Sequence, residues 1–224
     1  MPLPLTGIFF MNTDNLLKNG LNELGIDCSE SQIESFMIYL SELKKWSSTY
    51  NITALKTDED IIIKHFLDSL LYLQAIPEGT IKLADIGTGG GFPGIPIKII
   101  RPDIALTLIE PTRKKTSFLK HIIRKIGLSE VTVLQKRIEQ LDEEFNNYFD
   151  LIVSRATFSI KEFLDLACPF LKDSGRLVIS KGPKAEDELK QLSEAQRSVN
   201  PVENTLLLKL PYADAERHII ILTC

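Results

Sequence analysis

"LADIGTGGGFPGIP" (residues 83–96) sets a cluster of glycines and two prolines directly behind a short apolar run. Bare backbone at the end of a strand lets a ligand approach the main chain closely, and glycine is the residue that permits it. On either side the chain alternates. β-rich runs at 81–86 (IKLADI), 104–110 (IALTLIE), 131–135 (VTVLQ), 149–154 (FDLIVS) and 175–180 (GRLVIS) are separated by helical stretches, the pattern of a parallel sheet covered on both faces. The last two runs, NTLLLKLP (204–211) and ERHIIILTC (216–224), are joined by only YADA, too short for a helical crossover, so they must pair antiparallel. Five parallel strands closed by a hairpin predict an α/β fold of the Rossmann-like class I S-adenosylmethionine-dependent methyltransferase type, with a mostly parallel seven-stranded sheet. A nicotinamide-binding fold would more often continue with another βα unit.

Upstream, Ser29 and Gln32 form a capping box, and Ile33, Phe36, Met37, Leu40 and Leu43 recur at helical spacing. A second long helix opens near Thr57 and Asp58, carries Ile61, Ile62, Phe66, Leu67, Leu70 and Leu71, and stops before Pro77. The expected organisation is a helical extension over residues 1–76 and a methyltransferase domain over 77–224. MNTDNLL from Met11 reads as an ordinary helix start, so the first ten residues are expected to be either an upstream start or an artificial addition, and no function is assigned to them.

Composition narrows the class. With 44% hydrophobic and 25% charged residues, the 224-residue chain can bury one sizeable core. No apolar run approaches the ~18 residues of a membrane span, and MPLPLTGIFF lacks the basic region and clean apolar stretch of a signal peptide. Cys28, Cys168 and Cys224 are widely separated and show neither a C-x-x-C pair nor a zinc-ligand spacing with the three histidines. They predict a reducing compartment, the cytoplasm, and no metal; Cys168 reads as a buried small hydrophobe. A net charge of −4 argues against coating nucleic acid by global attraction. Charge is nevertheless segregated: between residues 98 and 125, Lys98, Arg101, Arg113, Lys114, Lys115, Lys120, Arg124 and Lys125 face only Asp103 and Glu110.

The loop's spacing selects its ligand. Gly87, Gly89, Gly90 and Gly91 fall beyond the first strand, where a doubly wound sheet reverses its strand order and binds ligands. The dinucleotide fingerprint requires glycine three places after Gly89, but Phe92 stands there, which disfavours a pyrophosphate. Glu110 ends the second strand about twenty residues after Gly87, the separation at which a carboxylate holds ribose hydroxyls. An adenosyl ligand without phosphates uses both features. S-adenosylmethionine fits, with the loop against its methionine part, Glu110 on the ribose and Asp85 at the loop entrance. Taken alone, the glycines could merely turn the chain, and Phe92 could be a core aromatic or pack on the ligand.

After the fourth strand, SRATFS (154–159) carries neither the Asn/Asp-Pro-Pro-aromatic signature of methyltransferases acting on exocyclic amines nor the cysteine needed to attack a pyrimidine carbon. An acceptor with its own exposed lone pair needs neither, and guanine N7 carries no proton to remove. Arg155 is the natural orienting group, bonding O6 and leaving N7 free; a salt bridge at the domain edge is its plainer reading.

These motifs together resemble the glucose-inhibited division protein B family, the bacterial 16S ribosomal RNA guanine-N7 methyltransferases. The likeness runs through NITA (51–54), HFLDSL (65–70), DIGTGGGFPGIP (85–96), RKKTSFL (113–119), RIE (137–139), SRA (154–156) and SKG (180–182). It implies cofactor contacts at Gly87, Phe92, Ile138, Glu139 and Arg155, with Glu110 standing where the family often has aspartate. It also implies a target guanine in the small ribosomal subunit, and Asn51, His65 and Asp68 at the cleft rim. His65 and Asp68, three apart on one helical face, are expected to contact each other.

A helix over residues 112–126 would place Phe118, Leu119, Ile122, Ile123 and Ile126 on one face and Arg113, Lys120 and Arg124 on the other. Arg113, Lys114 and Lys115 sit in the first turn, where the helix dipole disfavours cations by about 0.3–1 kcal/mol. That location points to RNA contact rather than a merely solvated face. Lys181, ending the fifth strand, would meet a phosphate or cap the strand. The expected protein is a monomeric 16S ribosomal RNA methyltransferase using S-adenosylmethionine. A non-enzymatic RNA-binding assembly factor and a nicotinamide-dependent oxidoreductase are the alternatives.

Overall fold

The computed structural model describes residues 13–79, 81–155, 158–183, 185–190, 192 and 202–224. The first ten residues and Ala156 of the SRA motif lie outside them. Strands β1 (Lys82–Ile86), β2 (Ala105–Ile109), β3 (Val131–Leu134), β4 (Phe149–Arg155), β5 (Leu171–Lys181), β6 (Val202–Lys209) and β7 (Glu216–Leu222) form one sheet in the order β3-β2-β1-β4-β5-β7-β6. β1 to β5 are parallel, and β7 inserts antiparallel between β5 and β6. The expected fold class is the one observed. β1 and β4 are almost continuously buried because helices cover both faces of a parallel sheet, whereas exposed side chains dominate edge strand β6.

Two helices, α1 (Thr13–Glu23) and α2 (Glu30–Tyr50), open the described chain. Ser29 caps α2 reciprocally with Gln32, as its spacing predicts, and the Gln32 amide also donates to Ile99 O at 2.7 Å. The next helical run is less regular than its periodicity suggests. It begins as α3 (Asp58–Ile61), widens to a π-helical segment (Ile62–Leu67), returns as α4 (Asp68–Leu70) and tightens to 3-10 (Leu71–Ala75). π-turns within helices are rare and concentrate at functional sites, and this one carries His65. The remaining helices are α5 (Gly94–Ile100), α6 (Arg113–Lys125), α7 (Ile160–Ala167) and α8 (Ala185–Lys190). Phe36, Tyr39 and Phe66 from the helical segment share one apolar cluster with Phe92, Ile95 and Phe118.

Two expectations fail here. Cys168 is not an isolated hydrophobe but forms a disulfide with Cys224, their Cα atoms 5.6 Å apart, because β7 returns the chain's last residues beside the end of α7. Only Cys28 is free. Lys98 does not belong to the basic surface: its ammonium turns inward and donates to Pro102 O and Ile104 O, satisfying carbonyls just beyond the C-terminus of α5. No helix among the described residues is long and apolar enough to cross a membrane.

Candidate active site

β1 and β4 are adjacent, so the strand order reverses at the carboxyl end of β1, where the glycine loop begins. Gly87, Gly89 and Gly91 have φ values of +68°, +60° and +104°, which side chains rarely adopt. Asp85 fastens the loop at both ends. Its Oδ2 accepts from Thr88 Oγ1 at 2.5 Å and from Gly94 N at 2.8 Å, while Oδ1 is buried without a partner. Asp85 thus braces the loop from beneath. Tyr39, fully buried on α2, donates its hydroxyl to Gly90 O and fixes the loop's crown.

The buried carboxylate of Glu110 stands opposite the loop and accepts from Gly89 N at 3.0 Å and from Thr112 N at 2.9 Å. Lys115 Nζ lies 3.9 Å from it. Beside Gly87, a cavity of about 150 Å³ is lined by Ile86, Ile109, Pro111, Ile138, Glu139 and Phe158. The structure therefore brings together Gly87, Ile138 and Glu139, as the resemblance implied. An adenosyl group suits this donor set. The slot is mainly apolar, acids lie on and next to its wall, and a Cβ on Gly89 would meet nothing nearer than 3.9 Å. The Phe92 ring is engaged elsewhere, stacked on His65 at 4.2 Å and on Tyr39 at 5.4 Å.

A second cavity, of about 520 Å³, opens between the helical segment and the ends of β4 and β5, with Thr53, His65, Asp68, Arg155 and Arg217 on its walls. Arg155 organises it. Nη1 donates to Lys64 O (3.0 Å) and Asp68 Oδ2 (3.1 Å), Nη2 meets His65 Nδ1 (2.9 Å), and the guanidinium lies 5.2 Å over the Phe92 ring. His65 and Asp68 are therefore joined through Arg155. Asp68 also accepts from Arg217 Nε at 2.7 Å. Beneath the cavity the Tyr72 hydroxyl donates to Ser154 O and accepts from Ser180 N, bridging β4 and β5. Nothing local in the sequence marks Arg217 or Tyr72, and NITA marks Thr53 only as part of a motif; the pairing of β7 with β5 and the folding back of the helical segment assemble them.

The tautomer of His65 follows from its partners. Arg155 can only donate, so Nδ1 accepts, and the ring proton on Nε2 is given to Thr53 Oγ1 at 2.7 Å. Burial, then the neighbouring guanidinium, lower its pKa to about 3, whereas burial raises that of Asp85 to about 6. Opposite pH dependences result. The unfolded chain binds the extra proton at His65 below about pH 6.5, so that contribution to stability falls as pH falls. At Asp85 the folded chain binds it, so that contribution is complete below about pH 4 and disappears as pH rises through about 6. From pH 6 to 4 the two slopes, each at most about 1.4 kcal/mol per unit, oppose one another. In urea unfolding over that range, His65→Asn should gain stability relative to the parent as pH falls, and Asp85→Asn should lose it. Parallel pH profiles for all three proteins would contradict these assignments.

The basic helix is arranged as its periodicity predicts: Phe118, Leu119 and Ile122 are buried, and Arg113, Lys114, Lys120 and Arg124 are exposed. Lys115 is half-buried towards Glu110. Lys181 has internal partners, donating to Phe158 O and pairing with Glu188 at 2.9 Å. Asn51 is exposed and ends α2 in the left-handed conformation.

Residues 32–220 match the family described as rRNA small subunit methyltransferase G (GidB). The chain is 44% identical over 174 residues to the ribosomal RNA small subunit methyltransferase G of Geobacter sp. strain M21, covering 78% of this chain and 80% of that protein. It is 37% identical over 213 residues to the protein of the same name from Neisseria meningitidis serogroup B, covering 95% and 99%. Among solved structures, the fold is similar to the B. subtilis M1A22 tRNA methyltransferase TrmK, with a TM-score of 0.54 at 17% identity over 71% of this chain and 65% of that one. P. horikoshii TYW2 in complex with MeSAdo gives 0.53 at 14% identity over 71% and 61%. With most of its length matched, and with the glycine loop and the Arg155 cavity side by side at the strand ends, the chain belongs to the rRNA small subunit methyltransferase G family.

Proposed function

We infer that the protein transfers a methyl group from S-adenosylmethionine to N7 of a guanine in the 16S ribosomal RNA of the small subunit. The cofactor supplies an activated methyl group. Gly87, Gly89, Glu110, Ile138 and Glu139 hold it, Asp85 keeps the loop in shape, and Arg155, on the wall of the larger cavity, orients the base. One observation carries the choice of N7: the described residues lining the larger cavity include no group suited to remove a proton. His65 is tied at both ring nitrogens with its pKa near 3, and Asp68 is tied to two guanidiniums. An acceptor without a proton needs no base, so catalysis rests on aligning its lone pair with the methyl group, an effect worth about 7–11 kcal/mol in favourable cases. The maximal rate should therefore be flat within about twofold from pH 6.5 to 8.5. A rate rising in proportion to hydroxide concentration would mean that a proton must leave first.

The exposed cations of α6 are the surface we assign to RNA phosphates. Replacing Arg113, Lys120 and Arg124 together by alanine should weaken RNA binding and lower the slope of log Kd against log salt by about two to three, near 0.7–0.9 per phosphate contact. Cofactor affinity should be unchanged. An unaltered salt slope would remove the stripe from the interface.

A further inference from the structure

Tyr50 ends α2 and is among the few large apolar side chains exposed on the described surface, at 44%. Its position is built. Asn51 follows at φ +54°, donates its N–H to Ser47 O and turns the chain inward to the buried Ile52 and Thr53. The Tyr50 ring packs against Trp46 at 5.4 Å, and Trp46 rests on Phe118 and His121 of α6, so the ring is braced at the seam between two helices. Lys114 Nζ stands 5.9 Å from the ring centre.

What lies on either side gives this ring a direction. Towards α6 are the exposed cations Arg113, Lys114 and Lys120. In the other direction the chain reaches the glycine loop, where a Cβ on Gly90 would sit 3.2 Å from Ile52 Cγ2, and then Thr53 on the wall of the Arg155 cavity. A rigid aromatic face beside a cation, between a basic stripe and a cavity of about 520 Å³ that can admit a base, has the elements of a single-strand nucleic-acid groove.

We propose that Tyr50 is a stacking platform for an unpaired RNA base flanking the target guanine. The proposal rests on the RNA methyltransferase reading and adds a residue that recognises the strand rather than the target. A guanine drawn into the cavity leaves its neighbour without a stacking partner, and the Tyr50 ring replaces that partner for any base. Lys114 strengthens the site by its charge over the ring and by proximity to the adjoining phosphate.

The test compares Tyr50→Ala, Tyr50→Leu and Tyr50→Phe in binding to, and methylation of, small ribosomal subunits from cells lacking the modification. Alanine and leucine should weaken RNA affinity by about 5- to 150-fold, the range for loss of one base-aromatic stack. The salt slope and cofactor Kd should stay at parental values, and phenylalanine should restore the affinity. Equal affinity for the leucine and tyrosine proteins would overturn the proposal, as would a loss that disappears into a changed salt slope. If the parent protein methylates no guanine N7, the enzymatic reading fails, while the affinity series still decides whether Tyr50 stacks on RNA.

Discussion

Replacing Arg155 by methionine should lower the methyl-transfer rate at saturating cofactor and RNA by about 10²- to 10³-fold, the usual loss when a preorganised donor leaves an active site. Methionine keeps a stem about as long as the arginine chain to Nε but removes the cation that Lys64 O, Asp68 and His65 share. Asp68 would keep only Arg217, so folding stability should fall as well, by less than the 3–5 kcal/mol typical when a buried ion pair loses its only partner. Arg155→Lys separates the two effects. Its ammonium can still pair with Asp68 and recover much of the stability, but a point charge cannot serve three acceptors in the plane of a guanidinium, so the rate should stay low. Single-turnover rates beside urea midpoints give the comparison. A well-folded methionine variant within threefold of the parental rate would remove Arg155 from acceptor orientation.

Gly87→Asp should abolish cofactor binding, with Kd raised at least about 100-fold. Two causes add. At φ +68° a non-glycine residue is strained by about 1–2 kcal/mol. A carboxylate there would also project into the loop that already faces Glu110 and lines the cavity shared with Glu139, placing like charges together where a ligand must be desolvated. Gly87→Ala carries the strain without the charge and should show the smaller part of the loss. Calorimetric titration with the cofactor measures both, and equal, near-parental Kd values would detach the loop from cofactor binding.

What was legible in the sequence is what is encoded locally. The glycine loop announces itself because turns with positive φ select glycine, and the hairpin because four intervening residues forbid a crossover. The faces of α6 follow from helical periodicity. The acceptor cavity is encoded otherwise. Arg217 reaches Asp68 across 149 residues and Arg155 reaches His65 across 90, so neither partner leaves a trace near the other in the chain. The Cys168–Cys224 bond spans 56 residues and depends on β7 entering beside β5. Lys98 misleads for a different reason: composition counts its charge, but only the fold reveals two carbonyls waiting inside. His65 was legible as a residue and illegible as a role, because its tautomer and depressed pKa come from Arg155 and Thr53.

The central claim is methyl transfer to guanine N7 in small-subunit RNA. The most direct measurement supplies labelled S-adenosylmethionine to small ribosomal subunits and to naked 16S RNA, both from cells lacking the modification, followed by cleavage chemistry specific for N7-methylguanine. The predicted result is label at one guanine, cleavable at N7, and absent with Gly87→Asp. Label on another atom, or none on either substrate by a protein that still binds the cofactor, would contradict the account.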